Sequence, residues 1–192
     1  MLIRLIVTLT CVMLFCTTGA YSWNLHSFSK DSDIRAALSL LENIGADEVF
    51  ENLQENSVKI IFYDLSLINY SYRNHYAINS VDNWGERYIL INSKYRDASK
   101  EEIACLIAHE SFHKANRATM AEETLATQKE AYYWAILKVP GKFYTNSPLI
   151  NRLNTLVCLN SESDENNNLI EKRIQNSKFY QEQLATTTRR KL

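Results

Sequence analysis

The sequence predicts an α+β domain, on three observations. Glycine and proline are scarce, four and two in 192 residues, which favours helices over a turn-rich β fold. Apolar residues recur at helical spacing in the early and late parts of the chain. Between them, residues 58–92 change to short runs rich in Ile, Val and Tyr, the texture of a small sheet.

The first element is a leader. One basic residue, Arg4, precedes an apolar run over 5–16, and Thr17-Thr18-Gly19-Ala20 supplies small residues for a cut after Ala20. This reads as a signal peptide, with retention as an anchor the alternative; the run is short for a membrane span, which needs about 20 residues. The remainder, 21–192, is expected to form a single domain.

Asp31 or Ser32 caps a helix carried by Ile34, Ala37, Leu38 and Leu41, with Gly45 as its stop. A short helical stretch over 47–54 follows. Strands are expected at 58–63, 76–81 and 87–92, the last two joined by the glycine-containing turn 82–86. Residues 69–74 read as a loop. Ser99 and Glu102 form a capping box opening a helix from 100 to about 116, and Thr119 with Glu122 opens another to 137. Pro140-Gly141 interrupts, and helical segments at about 148–159 and 167–185 close the chain around the polar run 161–166.

The segment that carries chemistry is His109-Glu110-Ser111-Phe112-His113. Residues four apart share a helical face, so both imidazoles can reach one ion. Glu110 is offset to the side, where it can hold a metal-bound water and accept its proton. Zinc lowers the pKa of such a water toward ~7. Glu110 is therefore the candidate catalytic residue, and His109 and His113 are candidate metal ligands.

A catalytic zinc site takes three protein ligands and keeps one position open. The two capping boxes imply an antiparallel helix pair with a very short loop, which puts Glu122 and Glu123 near the level of His113. Glu122 is needed at the cap, so Glu123 is the expected third ligand. Glu130 shares that face but lies ~10 Å further along the axis, and is expected as an outer or structural carboxylate. Glu122, Glu130 and His75 remain rivals for the third position, while His26 is expected to take no part.

Leu106-Ile107-Ala108-His109-Glu110-Ser111-Phe112-His113, followed by Glu123-Thr124-Leu125-Ala126, resembles the active-site helix pair of gluzincin metallopeptidases. In that group a Glu on a second helix, often in an E-x-x-A setting, completes a two-His zinc site. The resemblance spans residues 58–137. It implies a zincin-like fold: a small, mostly antiparallel sheet packed on the HExxH helix and the Glu-bearing helix, with helix-rich termini. It also implies Zn2+ as cofactor, and an edge strand above the metal that pairs with an extended peptide. Either 87–93 or 76–81 is the candidate edge. The interval from His113 to Glu123 is shorter than in thermolysin-like members, and no third His follows a Gly as in metzincins.

An oxyanion needs a donor, and Tyr132, Tyr133 and Tyr144 lie downstream of Glu123. Trp134 with Tyr133 reads as core or groove wall. For Cys105 three readings stand open: a buried thiol, a disulfide to Cys158, or a metal ligand. A formal charge of −1 gives no global pull toward nucleic acid or acidic lipid, and the basic tail after Thr188 reads as a solvated terminus. The expected function is an exported metalloprotease, secreted or periplasmic, hydrolysing a peptide or protein substrate and not held in a membrane once the leader is removed. The alternatives are a non-catalytic, zinc-stabilised binding or adaptor protein of the cell envelope, and a zinc-free helical adaptor.

Overall fold

In a computed structural model the described residues are 22–114, 119–138, 147–164 and 167–177. Among them the chain forms α1 (Leu25–Phe28), α2 (Ser32–Asn43), α3 (Asp47–Glu55), β1 (Lys59–Tyr63), β2 (Ala77–Val81) and β3 (Arg87–Asn92). Four further helices follow: α4 (Lys100–Ser111), α5 (Met120–Leu137), α6 (Pro148–Glu162) and α7 (Leu169–Asn176). The leader and Tyr144 lie outside the described residues. No described helix is long and apolar enough to cross a membrane.

Local chemistry accounts for most boundaries. Asp31 Oδ1 accepts from Asp33 N–H at 2.9 Å and Ile34 N–H at 3.4 Å, starting α2. At its other end Gly45, with φ +70°, takes the left-handed conformation. There Gly45 N–H donates to Glu42 and Ala46 N–H to Leu41, both at 3.0 Å, which satisfies the last carbonyls. Residues expected as loop at 69–74 instead wind into a 3-10 turn over Tyr70–Asn74, capped by Asn69 Oδ1 accepting from Ser71 N–H at 2.9 Å. Helix α6 runs on to Glu162, so the polar run begins inside it, and α7 ends at Asn176.

The sheet order is β1–β3–β2, with β3 parallel to β1 and antiparallel to β2. A mostly antiparallel sheet was the expectation; half of its pairings are parallel. The cause is the excursion between β1 and β2, which passes through two 3-10 turns and brings β2 in at the far edge. The tight turn after Val81 then returns β3 into the gap, antiparallel to its hairpin partner and so parallel to β1. Both candidate positions for an edge strand are thereby resolved: β3 is central and β2 is an edge.

Opposed residues share a sheet face, so Ile60, Ile89 and Asn79 form one row and Phe62, Ile91 and Ala77 the next. Ile60, Ile89 and Ile91 are fully buried in one core with Leu38, Leu41, Phe50, Ile103 and Ile107. Helix α4 runs through the middle of that core, between α2, α5 and the sheet. All of its residues from Glu102 to Ser111 are buried, rather than one apolar face alone.

Candidate metal centre

The Ser99 capping box starts α4 as the sequence implies: Glu102 N–H donates to Ser99 Oγ at 3.3 Å and Ser99 N–H to Glu102 Oε2 at 2.9 Å. Its far end departs from expectation. Instead of reaching residue 116, α4 stops at Ser111, so His113 lies beyond the helix. The last turn is tightened: Phe112 N–H donates to His109 O at 3.2 Å and His113 N–H to Glu110 O at 3.3 Å. Side chains from the sheet take the carbonyls that a longer helix would have used. Asn79 Nδ2 donates to Glu110 O at 3.1 Å and His113 O at 3.3 Å, and Arg87 also donates to His113 O.

Helix α5 begins at the second capping box, with Glu122 N–H donating to Thr119 Oγ1 and Thr119 N–H to Glu122 Oε2, both at 3.2 Å. Glu122 Oε1 also accepts from Lys114 N–H at 3.3 Å, so this one carboxylate ties the start of α5 to the end of the HExxH segment. Glu123 is left to turn inward, where it is buried.

The three candidate ligands meet. His109 Nε2 lies 3.2 Å from His113 Nε2, and Glu123 oxygens lie 3.8 Å from the first and 3.7 Å from the second. The three residues form a buried group able to hold a metal ion. Glu123 Oε2 is buried with no hydrogen-bond partner among the described residues. A buried polar atom in that state is costly, and a cation at the shared point would satisfy it. Glu110, on the same turn, is buried but stays outside the group.

Charge follows from this burial. Desolvation pushes the Glu110 carboxyl up to about 7; Glu123 and Glu130 add to the rise and His109 opposes it. Burial, then His109, push the His113 imidazole down to about 3, leaving it in the neutral form that ligates metal. Burial also raises Glu123. For His109 burial acts downward, and the Glu130 carboxylate outweighs it, so the net direction is up.

Glu130, expected as an outer or structural carboxylate, stands behind His109: its Oε2 lies 3.1 Å from His109 Nδ1, an ion-pair contact rather than an aligned hydrogen bond. No local pattern marks its partner Arg152 on α6, which grips both Glu130 oxygens. Asn79 and Arg87 were missed as well. A polar residue on the inner face of a strand, as Asn79 is in the Ile60–Ile89 row, is the signal that points to such a role.

The remaining candidates stand apart from the group. His75 is half-buried against Tyr72, at 4.8 Å between ring centroids, and His26 is exposed on α1. Tyr133 is buried and donates its hydroxyl to Glu48 at 2.8 Å, while Tyr132 is exposed. Trp134 is core, its indole N–H donating to Asn154 at 2.8 Å. Cys105 and Cys158 are both free, the first buried and the second exposed. No family model matches the chain, and neither the curated proteins nor the solved structures contain a match.

Proposed function

We propose that this chain is an exported, zincin-like zinc metallopeptidase in which His109, His113 and Glu123 hold Zn2+ and Glu110 is the catalytic base. One observation carries the reading: three ligand atoms from two chain segments converge at a buried point, with a fourth group, the Glu110 carboxyl on the same turn, left out of the convergence. The spacing suits zinc. Donors about 2.0–2.2 Å from a tetrahedral ion stand ~3.3–3.6 Å apart; here the two Nε2 atoms are 3.2 Å apart, Glu123 Oε2 is 3.8 Å from His109 and Glu123 Oε1 is 3.7 Å from His113.

Zinc supplies there a Lewis acid that polarises a peptide carbonyl and brings the pKa of water toward ~7. Glu110, on the turn that carries His109 and outside the ligand group, is the carboxyl left to take a proton from the attacking water and give it to the leaving amine. Glu130 sits against His109 Nδ1 and steadies the ring so that Nε2 faces the ligand point. Strand β2 pairs only with β3 among the described strands, and Asn79 ties it to the motif. An extended peptide added to that edge would lie beside Glu110.

The test uses the chain from Tyr21, with Glu110→Gln and His113→Ala. One zinc per chain is expected in wild type and Glu110→Gln, and none in His113→Ala. Peptide cleavage by Glu110→Gln should fall by ~100-fold or more. Wild type that takes up no zinc on refolding with the metal would remove the reading.

A second reading, a zinc-stabilised binding protein without turnover, draws on burial: His109, Glu110, His113 and Glu123 are 7%, 8%, 8% and 5% exposed. It expects zinc uptake, a Tm that drops on chelation, and no cleavage by wild type of any peptide in a diverse library.

A further inference from the structure

The two histidines are held in place by different means. His109 lies within α4, and its Nδ1 meets Glu130. His113 lies past the helix; the Nδ1 atoms of both rings are buried with no hydrogen-bond partner among the described residues, but only that of His109 has a carboxylate beside it. The His113 ring therefore has no partner behind it, and its place is set through its backbone. The His113 carbonyl accepts from Asn79 Nδ2 and from Arg87, each at 3.3 Å. Asn79 also donates to the Glu110 carbonyl at 3.1 Å and accepts from Arg87 at 3.1 Å through Oδ1. Guanidinium can only donate, so the amide of Asn79 is oriented by chemistry: Oδ1 toward Arg87, Nδ2 toward the two carbonyls.

We propose that Asn79 and Arg87 are positioning residues for the metal centre, a clamp carried by the sheet that stops α4 at Ser111 and sets His113 against His109 and Glu123. The inference rests on the reading of those three residues as ligands. Without the clamp, the His113 backbone keeps one bond of 3.3 Å to Glu110, and its ring keeps only the neighbours it shares the ligand point with, so a ligand held ready for the ion becomes one that must be ordered by it. The clamp does more than brace one ligand. Asn79 belongs to the edge strand β2 and bonds the Glu110 backbone carbonyl, so the strand that would carry substrate is tied to the turn that carries the base.

The test measures zinc affinity by competition with a chromophoric chelator, and the visible spectrum with Co2+ in place of zinc. Wild type is compared with Asn79→Asp, Arg87→Met and Asn92→Ala. Asn79→Asp keeps the shape and the Arg87 contact but turns an acceptor toward two carbonyls. Asn92 is the control: its amide donates to the carbonyls of Arg73 at 3.1 Å and His75 at 2.9 Å, at the other end of β3. Asn79→Asp and Arg87→Met are expected to lose ~10–100-fold in zinc affinity and to alter the Co2+ bands, with circular dichroism unchanged. Asn92→Ala should lower Tm and leave both metal readouts as in wild type. A folded Asn79→Asp with wild-type affinity and Co2+ bands overturns the clamp; if that variant does not fold, Arg87→Met decides on the same readouts. Wild type without bound zinc overturns the ligand reading and the clamp together, whereas binding that survives both substitutions overturns the clamp alone.

Discussion

Glu130 Oε2 lies 3.1 Å from His109 Nδ1, on the side of the imidazole opposite the ligand point. Burial by itself would raise the Glu130 carboxyl; Arg152 first and His109 second outweigh it and hold it at about 2. A carboxylate beside the far nitrogen favours the proton on Nδ1 and makes Nε2 a stronger donor to a metal. Glu130→Gln is therefore expected to weaken metal binding by ~10–100-fold while the stoichiometry stays at one per chain, as read by chelator competition.

Arg152 reaches this carboxylate from α6, holding Glu130 Oε2 at 2.7 Å and Oε1 with its second nitrogen. Glu130 is 0% exposed, so removing Arg152 leaves its buried charge with the His109 imidazole alone beside it. Arg152→Met should cost ~3–5 kcal/mol in urea unfolding. The double variant with Glu130→Gln should cost less than the sum of the two, since the stranded charge is gone. An additive double variant would mean that the pair contributes nothing as a pair.

What could be read from the sequence divides along one physical line. Both capping boxes, the glycine stop of α2 and the inward turn of Glu123 depend on residues within one helical turn, and each was legible. The end of α4 depends on Asn79, 31 residues before Glu110, and the state of Glu130 depends on Arg152, 22 residues after it. No local propensity encodes such contacts. Strand β3 shows the same division: its turn chemistry announced a hairpin with β2, but its parallel pairing with β1 depends on the path of the intervening chain.

Glu122 and Glu123 are neighbours with opposite duties, and substitution should separate them. Glu122 bonds the backbone N–H of Thr119 and of Lys114, while Glu123 faces the two histidines. Glu122→Ala is expected to lose ~0.5–2 kcal/mol of stability and keep its metal. Glu123→Ala should lose metal, with little change in the urea midpoint measured in chelator. The reverse pattern would move the third ligand to Glu122.

The thiols of the chain from Tyr21 should differ sharply in reactivity. Cys105 is fully buried, and burial pushes its thiol well above the ordinary range, with Glu130 adding to the rise. Cys158 is exposed. A disulfide reagent should titrate one thiol rapidly in native protein, and the second only in denaturant. Two fast thiols would mean that the core around α4 opens readily, and no titratable thiol would mean a disulfide.

The cap of α2 gives a pH dependence with a definite sign. Burial acts to raise the Asp31 carboxyl, but Arg96 at 2.9 Å and the N–H groups of Asp33 and Ile34 outweigh it, so the net direction is down. A lowered folded value means that stability is fully present above the ordinary carboxylate range near ~4 and is lost as pH falls through the folded value. Asp31→Asn keeps an acceptor for the two N–H groups and loses only the charge toward Arg96. Since the Arg96 side chain is 51% exposed, that loss should stay within ~0–1 kcal/mol at pH 7. Asp31→Ala removes the cap as well and should cost ~0.5–2 kcal/mol. In urea unfolding followed from pH 7 into acid, wild type and Asp31→Asn should converge as Asp31 protonates. A gap that stays constant with pH would assign the whole effect to the cap and none to the ion pair.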